Sequence, residues 1–200
     1  DPCPPPEPFA GLTREPLACG RAINLAFGAL SRRKGTDKLL LAWSCLPDPV
    51  LQTQTLRLVG APVPEDAAML RRLYAKVLAE RPDLPITWVD RFVGERELAQ
   101  EVLNASRILA PYQNHVGSSG VALWAAAARR PLLTQDTRQL GDLVRTHQLG
   151  QTVNCTDIAS LADALSLLPG CLRPLPSQTS LAQTNRVERF ASTLLDALFD

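Results

Sequence analysis

From Ile23 onward the chain alternates short apolar runs with stretches of helical periodicity, and this alternation restricts it to few architectures. Such runs suit buried strands, and a helix signal after each is the pattern of repeated β-α units around a parallel sheet. The runs Ile23 to Leu30, Leu56 to Gly60, Ile86 to Phe92, Arg107 to Pro111, Leu132 to Gln135 and Thr152 to Asn154 predict an open sheet of six strands. No internal repeat is found. The expectation is an α/β fold, a Rossmann-like open parallel sheet with helices on both faces.

The intervening segments read as helices for definite reasons. After residue 65, Leu70, Leu73, Tyr74, Val77 and Leu78 recur at spacings of three and four, while Arg71, Arg72 and Lys76 fall on the opposite face; Asp66 is the expected cap. Ile158, Leu161, Ala162, Leu165 and Leu168 share one face of another helix, capped by Thr156 or Asp157 and stopped by Pro169 and Gly170. Glu95 and Glu97 begin a further helix as partners of its dipole. At the end of the chain Val187, Phe190, Leu194 and Leu198 predict a C-terminal amphipathic helix. Pro2, Pro4, Pro5, Pro6, Pro8 and Pro16 forbid a helix in residues 1–22 and favour an extended lead-in. The organisation expected is therefore a Pro-rich linker over 1–22, a ligand-binding domain over 23–172, and a loop with a terminal helix over 173–200.

Charge and cysteine usage narrow the function classes. Lys and Arg number 21 against 20 Asp and Glu, so a net charge of +1 supplies no attraction for nucleic acid or an anionic membrane. The longest apolar runs, Leu39 to Leu46 and Val121 to Ala128, are far below the roughly 18 to 20 residues of a membrane span. Cys3, Cys19, Cys45, Cys155 and Cys171 are an odd, scattered set of five without a C-x-x-C pair, which argues against a disulfide framework or a zinc cluster and for a cytoplasmic setting. The chain opens at Asp1 without Met or a signal segment, so a domain excised from a longer polypeptide is expected.

A doubly wound sheet binds ligands beyond the carboxyl ends of its strands, where strand order reverses. Two loops there carry suggestive residues. Gly28-Ala29-Leu30-Ser31-Arg32-Arg33-Lys34-Gly35 puts three cations before a helix starting near Thr36, so a diphosphate could meet amides, helix dipole and cationic side chains together. A solvated basic turn explains the same residues. The loop has neither the Walker spacing nor a G-x-G-x-x-G fingerprint. Pro111 to Gly120 runs into the alanine-rich helix Val121 to Arg129. Its Gly117, Ser118, Ser119 and Gly120 allow close backbone approach and offer amides and hydroxyls to phosphate or sugar oxygens. A tight helix cap explains the small residues equally, and His115 reads either as a ligand contact or as a turn histidine satisfied by backbone. Tyr112 and Trp124 read as core or rim packing, and Ala125 to Ala128 as close helix-sheet packing. No acidic pair, Ser-His-Asp set or metal-ligand spacing is apparent.

The order Phe27-Gly28 through Arg33-Lys34-Gly35, Leu56-Arg57-Leu58-Val59-Gly60, Phe92-Val93-Gly94 with Glu97-Leu98, Pro111-Tyr112 through Gly117-Ser118-Ser119-Gly120 and Ala125 to Pro131 resembles the C-terminal, donor-binding domain of GT-B glycosyltransferases, the retaining family-four type (glycosyl transferases group 1). Leu149-Gly150 and the Thr152 strand extend the resemblance over about residues 20–170. It implies one Rossmann-like half of a GT-B fold and transfer of a sugar from a nucleotide sugar to an acceptor held by an N-terminal half. Lys34 then meets the donor diphosphate, with Gly28 beside it and Arg32 or Arg33 replacing an arginine usual at the position of Ala29. Phe92 and Val93 hold the nucleobase, and His115, Gly117, Ser118, Ser119 and Gly120 face the diphosphate and donor sugar.

The resemblance implies a UDP-, GDP- or ADP-linked donor, no prosthetic group, no metal, and a cytoplasmic enzyme whose full-length form has room for a peripheral membrane role. Residues 1–22 match the interdomain linker, and Asn185 to Phe199 the segment that crosses back to the other half, leaving Phe190 and Leu194 to an exposed patch or a dimer contact. The chain departs from the family at the second loop as well. Val116 and Trp124 stand where two glutamates, with seven residues between them, usually contact the donor sugar and the ribose. A noncatalytic GT-B-like module binding a partner or a regulatory nucleotide is the alternative, and another nucleotide-sugar enzyme on a similar fold, such as an epimerase, is a third.

Overall fold

The computed structural model describes residues 7–15, 20–113 and 119–169. Six strands form one all-parallel sheet in the order β3-β2-β1-β4-β5-β6: β1 (Ala22–Phe27), β2 (Gln54–Val59), β3 (Ile86–Val89), β4 (Arg107–Ala110), β5 (Leu132–Gln135) and β6 (Gly150–Val153). The helices among the described residues are α1 (Thr36–Ser44), α2 (Asp48–Thr53), α3 (Pro64–Glu80), α4 (Glu95–Asn104), α5 (Gly120–Ala127), α6 (Arg138–Thr146) and α7 (Ile158–Ser166). Strand order reverses between β1 and β4, which pair through Asn24 with Arg107 and Leu25 with Ile108.

Alternate residues of each buried strand feed two cores, as its pleat requires. Leu25, Phe27 and Ile108 face α4, α5 and α6, where they meet Val102, Ala122, Ala126 and Val144. Ala26, Leu56, Leu58 and Leu109 face the other layer and meet Leu39, Trp43, Leu70 and Leu161. The helix α5 buries Val121, Ala122, Leu123, Ala125 and Ala126; a helix apolar on nearly every side has to be enclosed, and its alanines let it lie close to the sheet.

Element boundaries depart from expectation where a single residue bends the chain. β1 stops at Phe27 rather than Leu30 because Gly28 turns away while its amide donates to the Val59 carbonyl at 2.9 Å. β3 ends at Val89, short of Phe92, and β2 begins two residues early at Gln54. Asp157 caps α7 as expected, accepting from the Ser160 amide at 2.9 Å, although α7 ends at Ser166 before Pro169 is reached. Asp66 does not cap α3. The N-cap is Val63, and the Asp66 carboxylate instead turns to Arg32. The lead-in is not uniformly extended: Glu7–Phe9 forms a 3-10 turn, compatible with Pro8 because the first turn needs no amide from it. Phe9 then stacks edge-on to Trp124 at 5.3 Å, and the Glu15 amide donates to Asn104 on α4 at 3.0 Å. The expected terminal helix, with Phe190 and Leu194, lies outside the described residues.

At the amino end of the sheet a buried polar network replaces apolar packing. Arg107, fully enclosed, donates to Asn24 Oδ1 at 2.8 Å and to the carbonyls of Ala164 and Leu165 at 3.1 and 3.2 Å. Gln54 Nε2 donates to Leu165 as well. These carbonyls end α7, so the guanidinium sits at the negative pole of that helix, and burial pulls its pKa down to about 10.

Candidate functional site

Because every strand is parallel, the loops after β1 and β4 emerge at the same edge, on either side of the reversal. They touch. The Gln113 amide donates to the Arg33 carbonyl at 2.7 Å, and Gly35 packs directly on Pro111. Gly35 adopts φ 72°, in the left-handed region, and a Cβ there would overlap the Pro111 carbonyl oxygen and stand 3.0 Å from its carbon. No other residue satisfies both conditions. Gln113 also donates from Nε2 to the carbonyls of Pro111 at 2.7 Å and Cys155 at 3.2 Å, fastening the β4 loop to the segment after β6.

Inside the first loop the cations occupy different environments. Lys34 is half-buried, its ammonium donating to the Phe27 carbonyl at 3.4 Å and lying over Gly28, where a Cβ would stand only 2.8 Å from Nζ. Burial, and then the charge of Arg33, pull Lys34 below the usual lysine range. A cation already stripped of part of its water has less to lose on meeting an anion, and an anion would restore what burial costs it. Arg32 is committed to Asp66, with its amide on Oδ2 and its Nε on Oδ1, both at 2.8 Å. This pairing holds the Asp66 carboxyl below its ordinary value. Arg33 is exposed.

The other expected residues separate by burial. Phe92 is 86% exposed beside the Arg91–Glu97 ion pair, whereas Val93, its neighbour, is buried in the core. Ser119 is the N-cap of α5 but makes no side-chain cap; its buried hydroxyl donates to the Tyr112 phenol at 3.1 Å. Burial raises the Tyr112 pKa, so the phenol stays protonated. Gly120 opens α5. His115, Gly117 and Ser118 lie outside the described residues, as does Val116. Trp124 packs edge-on against both Phe9 and Phe27, at 5.3 and 6.3 Å, which makes the wall beside the end of β1 aromatic.

Sequence reasoning missed Asp66 as an anchor of the first loop, and Gln113 as the link between loops. It passed over Asp37 and Glu65 as well. All four line a groove of about 700 Å³ between the first loop and the start of α3. An acid in the first turn of a helix reads as a dipole partner, and nothing in a sequence says which way it turns. Among the described residues no three His, Cys, Asp or Glu side chains converge on a metal position, and no helix is long and apolar enough to cross a membrane.

Comparison with known proteins places this geometry. Sucrose-phosphate synthase from Thermosynechococcus elongatus superposes with a TM-score of 0.73 at 23% identity, covering 92% of this chain and 47% of that one. The HepE protein of Anabaena, solved in complex with UDP and glucose, gives 0.74 at 16% identity over 90% of this chain and 48% of its own. The isolated C-terminal domain of a group 1 glycosyl transferase, LpcC of Francisella tularensis, gives 0.70 at 15% identity, covering 84% of this chain and 88% of that domain. The chain thus spans about half the length of the first two structures. No curated protein sequence matches it. These likenesses agree with the expected fold, one Rossmann-like half of a GT-B arrangement. The glycosyl transferases group 1 family matches residues 21–168, and the chain belongs to that family.

Proposed function

We propose that the chain is the donor-binding half of a glycosyltransferase that moves a sugar from a nucleotide sugar to an acceptor held by a second, N-terminal domain. The observation that carries this reading is the contact between the Lys34 loop and the Pro111 loop at the strand-order reversal, with a partly desolvated Lys34 ammonium over the end of β1 beside it. In this reading Lys34 and the α1 and α5 amino ends receive the diphosphate, with Gly28, Arg33 and the exposed part of Arg32 around it. Phe92 offers a ring to the nucleobase and Val93 fixes that loop in the core. His115, Gly117, Ser118, Ser119 and Gly120 lie along the donor sugar.

Chemically, the departing nucleoside diphosphate gains negative charge as the glycosidic bond breaks. Lys34 and the helix amino ends stabilise that charge without a proton transfer and without a metal. The donor is UDP-, GDP- or ADP-linked, and the enzyme works in the cytoplasm.

One observation favours a second reading. Trp124, where the family usually has a glutamate, is held by Phe9 and Phe27 and has no carboxylate for ribose hydroxyls. A module that keeps the fold but binds a partner or a regulatory nucleotide without catalysis accounts for it.

Ligand-observed NMR of the chain against UDP-, GDP- and ADP-glucose, repeated with Lys34→Ala, tests the donor reading. Saturable binding of one nucleotide class, weakened by about tenfold or more in the variant, is the expected result, since a charge-assisted contact is worth roughly 1.5–3 kcal/mol. Equal binding to both proteins would remove Lys34 from the site. No binding across the panel, also with the full-length enzyme, would favour the noncatalytic module.

A further inference from the structure

Among the described residues, five arginines are not exposed: Arg21, Arg57, Arg81, Arg107 and Arg130. Four of them have acceptors. Arg57 holds Glu101, Arg81 holds Asp48, Arg21 donates to the Gln52 carbonyl at 3.2 Å, and Arg107 has its network at the amino end of the sheet. Arg130 has no side-chain acceptor among the described residues. Its Nε is enclosed, so one edge of the guanidinium is sunk in the protein, while the terminal nitrogens are not enclosed and remain open to a ligand. A half-buried donor without an acceptor is costly, and such groups ordinarily find one. The only charge that bears on Arg130 adds to the cost: burial, and then the charge of Arg14, pull it below the usual arginine range. Arg14 and Arg129 are exposed, and neither has an ion pair or a side-chain hydrogen bond among the described residues.

Local structure brings the three cations to one edge of the domain. Arg14 stands between Thr13, whose carbonyl accepts from Gln100, and Glu15, whose amide donates to Asn104, so the lead-in is fastened there to the last turn of α4. Arg129 and Arg130 form the turn from α5 into β5, and the next residue, Pro131, accepts from the Ile108 amide of β4 at 2.9 Å. In that turn the Arg129 amide donates to Ala126 and the Arg130 amide to Ala125, the paired bonds of a common helix ending. Arg129 takes the left-handed position of this ending, at φ 53°, where glycine is unstrained. Because the turn precedes β5 in a parallel sheet, it lies at the amino edge, about 13 Å or more from the Lys34 edge, the length of that four-residue strand. The set lacks a counter-charge of about two units. A carboxylate would match one guanidinium and leave the other. A phosphate monoester carries about −1.5 to −2 at pH 7 and offers three oxygens to forked N–H donors.

We propose that Arg14, Arg129 and Arg130 form a binding site for the phosphate group of a small soluble ester, at the edge of the domain opposite the donor crevice. The site joins two parts of the chain, since Arg14 belongs to the lead-in and Arg129 and Arg130 to the turn that ends α5. It stands independently of the donor reading, with which it shares no residue. A phospholipid headgroup offers the same phosphate chemistry, but a guanidinium half-sunk in the surface suits a ligand small enough to reach it, and the test separates the two sources.

The test is an amide-shift NMR titration of the full 200-residue chain with glycerol 3-phosphate, at ionic strength held constant with chloride, beside sedimentation with phosphatidylcholine vesicles containing phosphatidic acid. Saturable shifts are expected at Arg14, Glu15, Arg129 and Arg130. Arg130→Gln should weaken binding about tenfold, the loss of a charge-assisted contact, and Arg130→Lys about threefold, since it keeps the charge without the planar fork. Arg129→Gly takes folding out of the question: it removes the left-handed strain, so its urea midpoint should not fall, while phosphate binding weakens about threefold or more. Lys34→Ala should leave the shifts at Arg130 unchanged, which keeps this site apart from the donor crevice. No saturable shift at these amides, shifts confined to Gly28 to Gly35, full affinity in Arg130→Gln or Arg130→Lys, or vesicle binding without a glycerol 3-phosphate response would each overturn the proposal.

Discussion

Replacing Gly35 by Ala probes the tightest backbone packing described between the two site loops. Two penalties act there. Alanine in the left-handed region costs about 1–2 kcal/mol from its Cβ against its own backbone. The overlap of that Cβ with the Pro111 carbonyl adds about 1–3 kcal/mol, the usual cost of forcing atoms into a filled space, because the obstacle is main chain and not the end of a flexible side chain. Loss of glycine freedom in the unfolded chain returns up to about 1 kcal/mol. The expected net destabilisation is about 2–4 kcal/mol. Gly11 supplies the control: its φ is 70°, nearly that of Gly35, yet a Cβ there meets nothing within 4 Å. Gly11→Ala therefore carries the backbone and unfolded-state contributions without the overlap, and the difference between the two variants isolates it. Urea unfolding followed by circular dichroism reads both. With a slope of about 2 kcal/mol per molar, the Gly35→Ala midpoint should fall about 0.5–1.5 M below that of Gly11→Ala. Midpoints within about 0.2 M of each other would refute the close contact between the loops.

The cysteines give a chemical check: burial and the charge of Asp136 push the Cys155 thiol up to about 12, so at pH 8 it should resist a disulfide reagent while exposed Cys45 reacts, as peptide mapping would show. Rapid labelling of Cys155 in the folded chain would contradict the packing of α7. Stability should also depend on acid: Asp66, bonded to Arg32, and Asp157, bonded to Ser160, both have carboxyls below the ordinary 3.8. Between 3.8 and those lower folded values the unfolded state binds more protons, so stability rises with pH there; the contribution is whole above the unfolded value and is lost as pH falls through the folded one. Asp66→Asn with Asp157→Asn should flatten that slope in urea midpoints measured from pH 5 to pH 2.5, and an unchanged slope would show that other carboxyls govern it.

Strand existence and order of elements were legible because most of the buried strands are short apolar runs and α3 and α7 show a helical period. Boundaries were not, since Gly28 ends β1 by a turn that leaves apolar Ala29 and Leu30 looking like strand. The short α2 escaped notice, though Asp48 and Pro49 at its start are ordinary opening residues. Both loops of the candidate site were found from their small and cationic residues, which signal local backbone needs. Asp66, Gln113 and Arg107 act across 34, 42 and 83 positions of chain respectively, in bonds to Arg32, Cys155 and Asn24. Local patterns carry no information at such separations. Arg107 shows this most plainly, because a cation inside a strand looks like an edge or a surface position until α7 closes over it.

The same Arg107 network bears on how the chain reaches its fold. Asn24 lies on β1, Gln54 on β2, Arg107 on β4, and the carbonyls that complete the set lie at the end of α7. An intermediate with β1 and β4 paired but α7 undocked must either leave the guanidinium in water, keeping that edge of the sheet open, or bury it short of acceptors at a cost of several kcal/mol. Partial assembly is thereby disfavoured. A slipped register between β1 and β4 fails for the same reason, since it moves Arg107 away from Asn24. The buried cation costs the finished domain some stability, and in return it makes the central strands and the last described helix a single cooperative unit, formed or lost together.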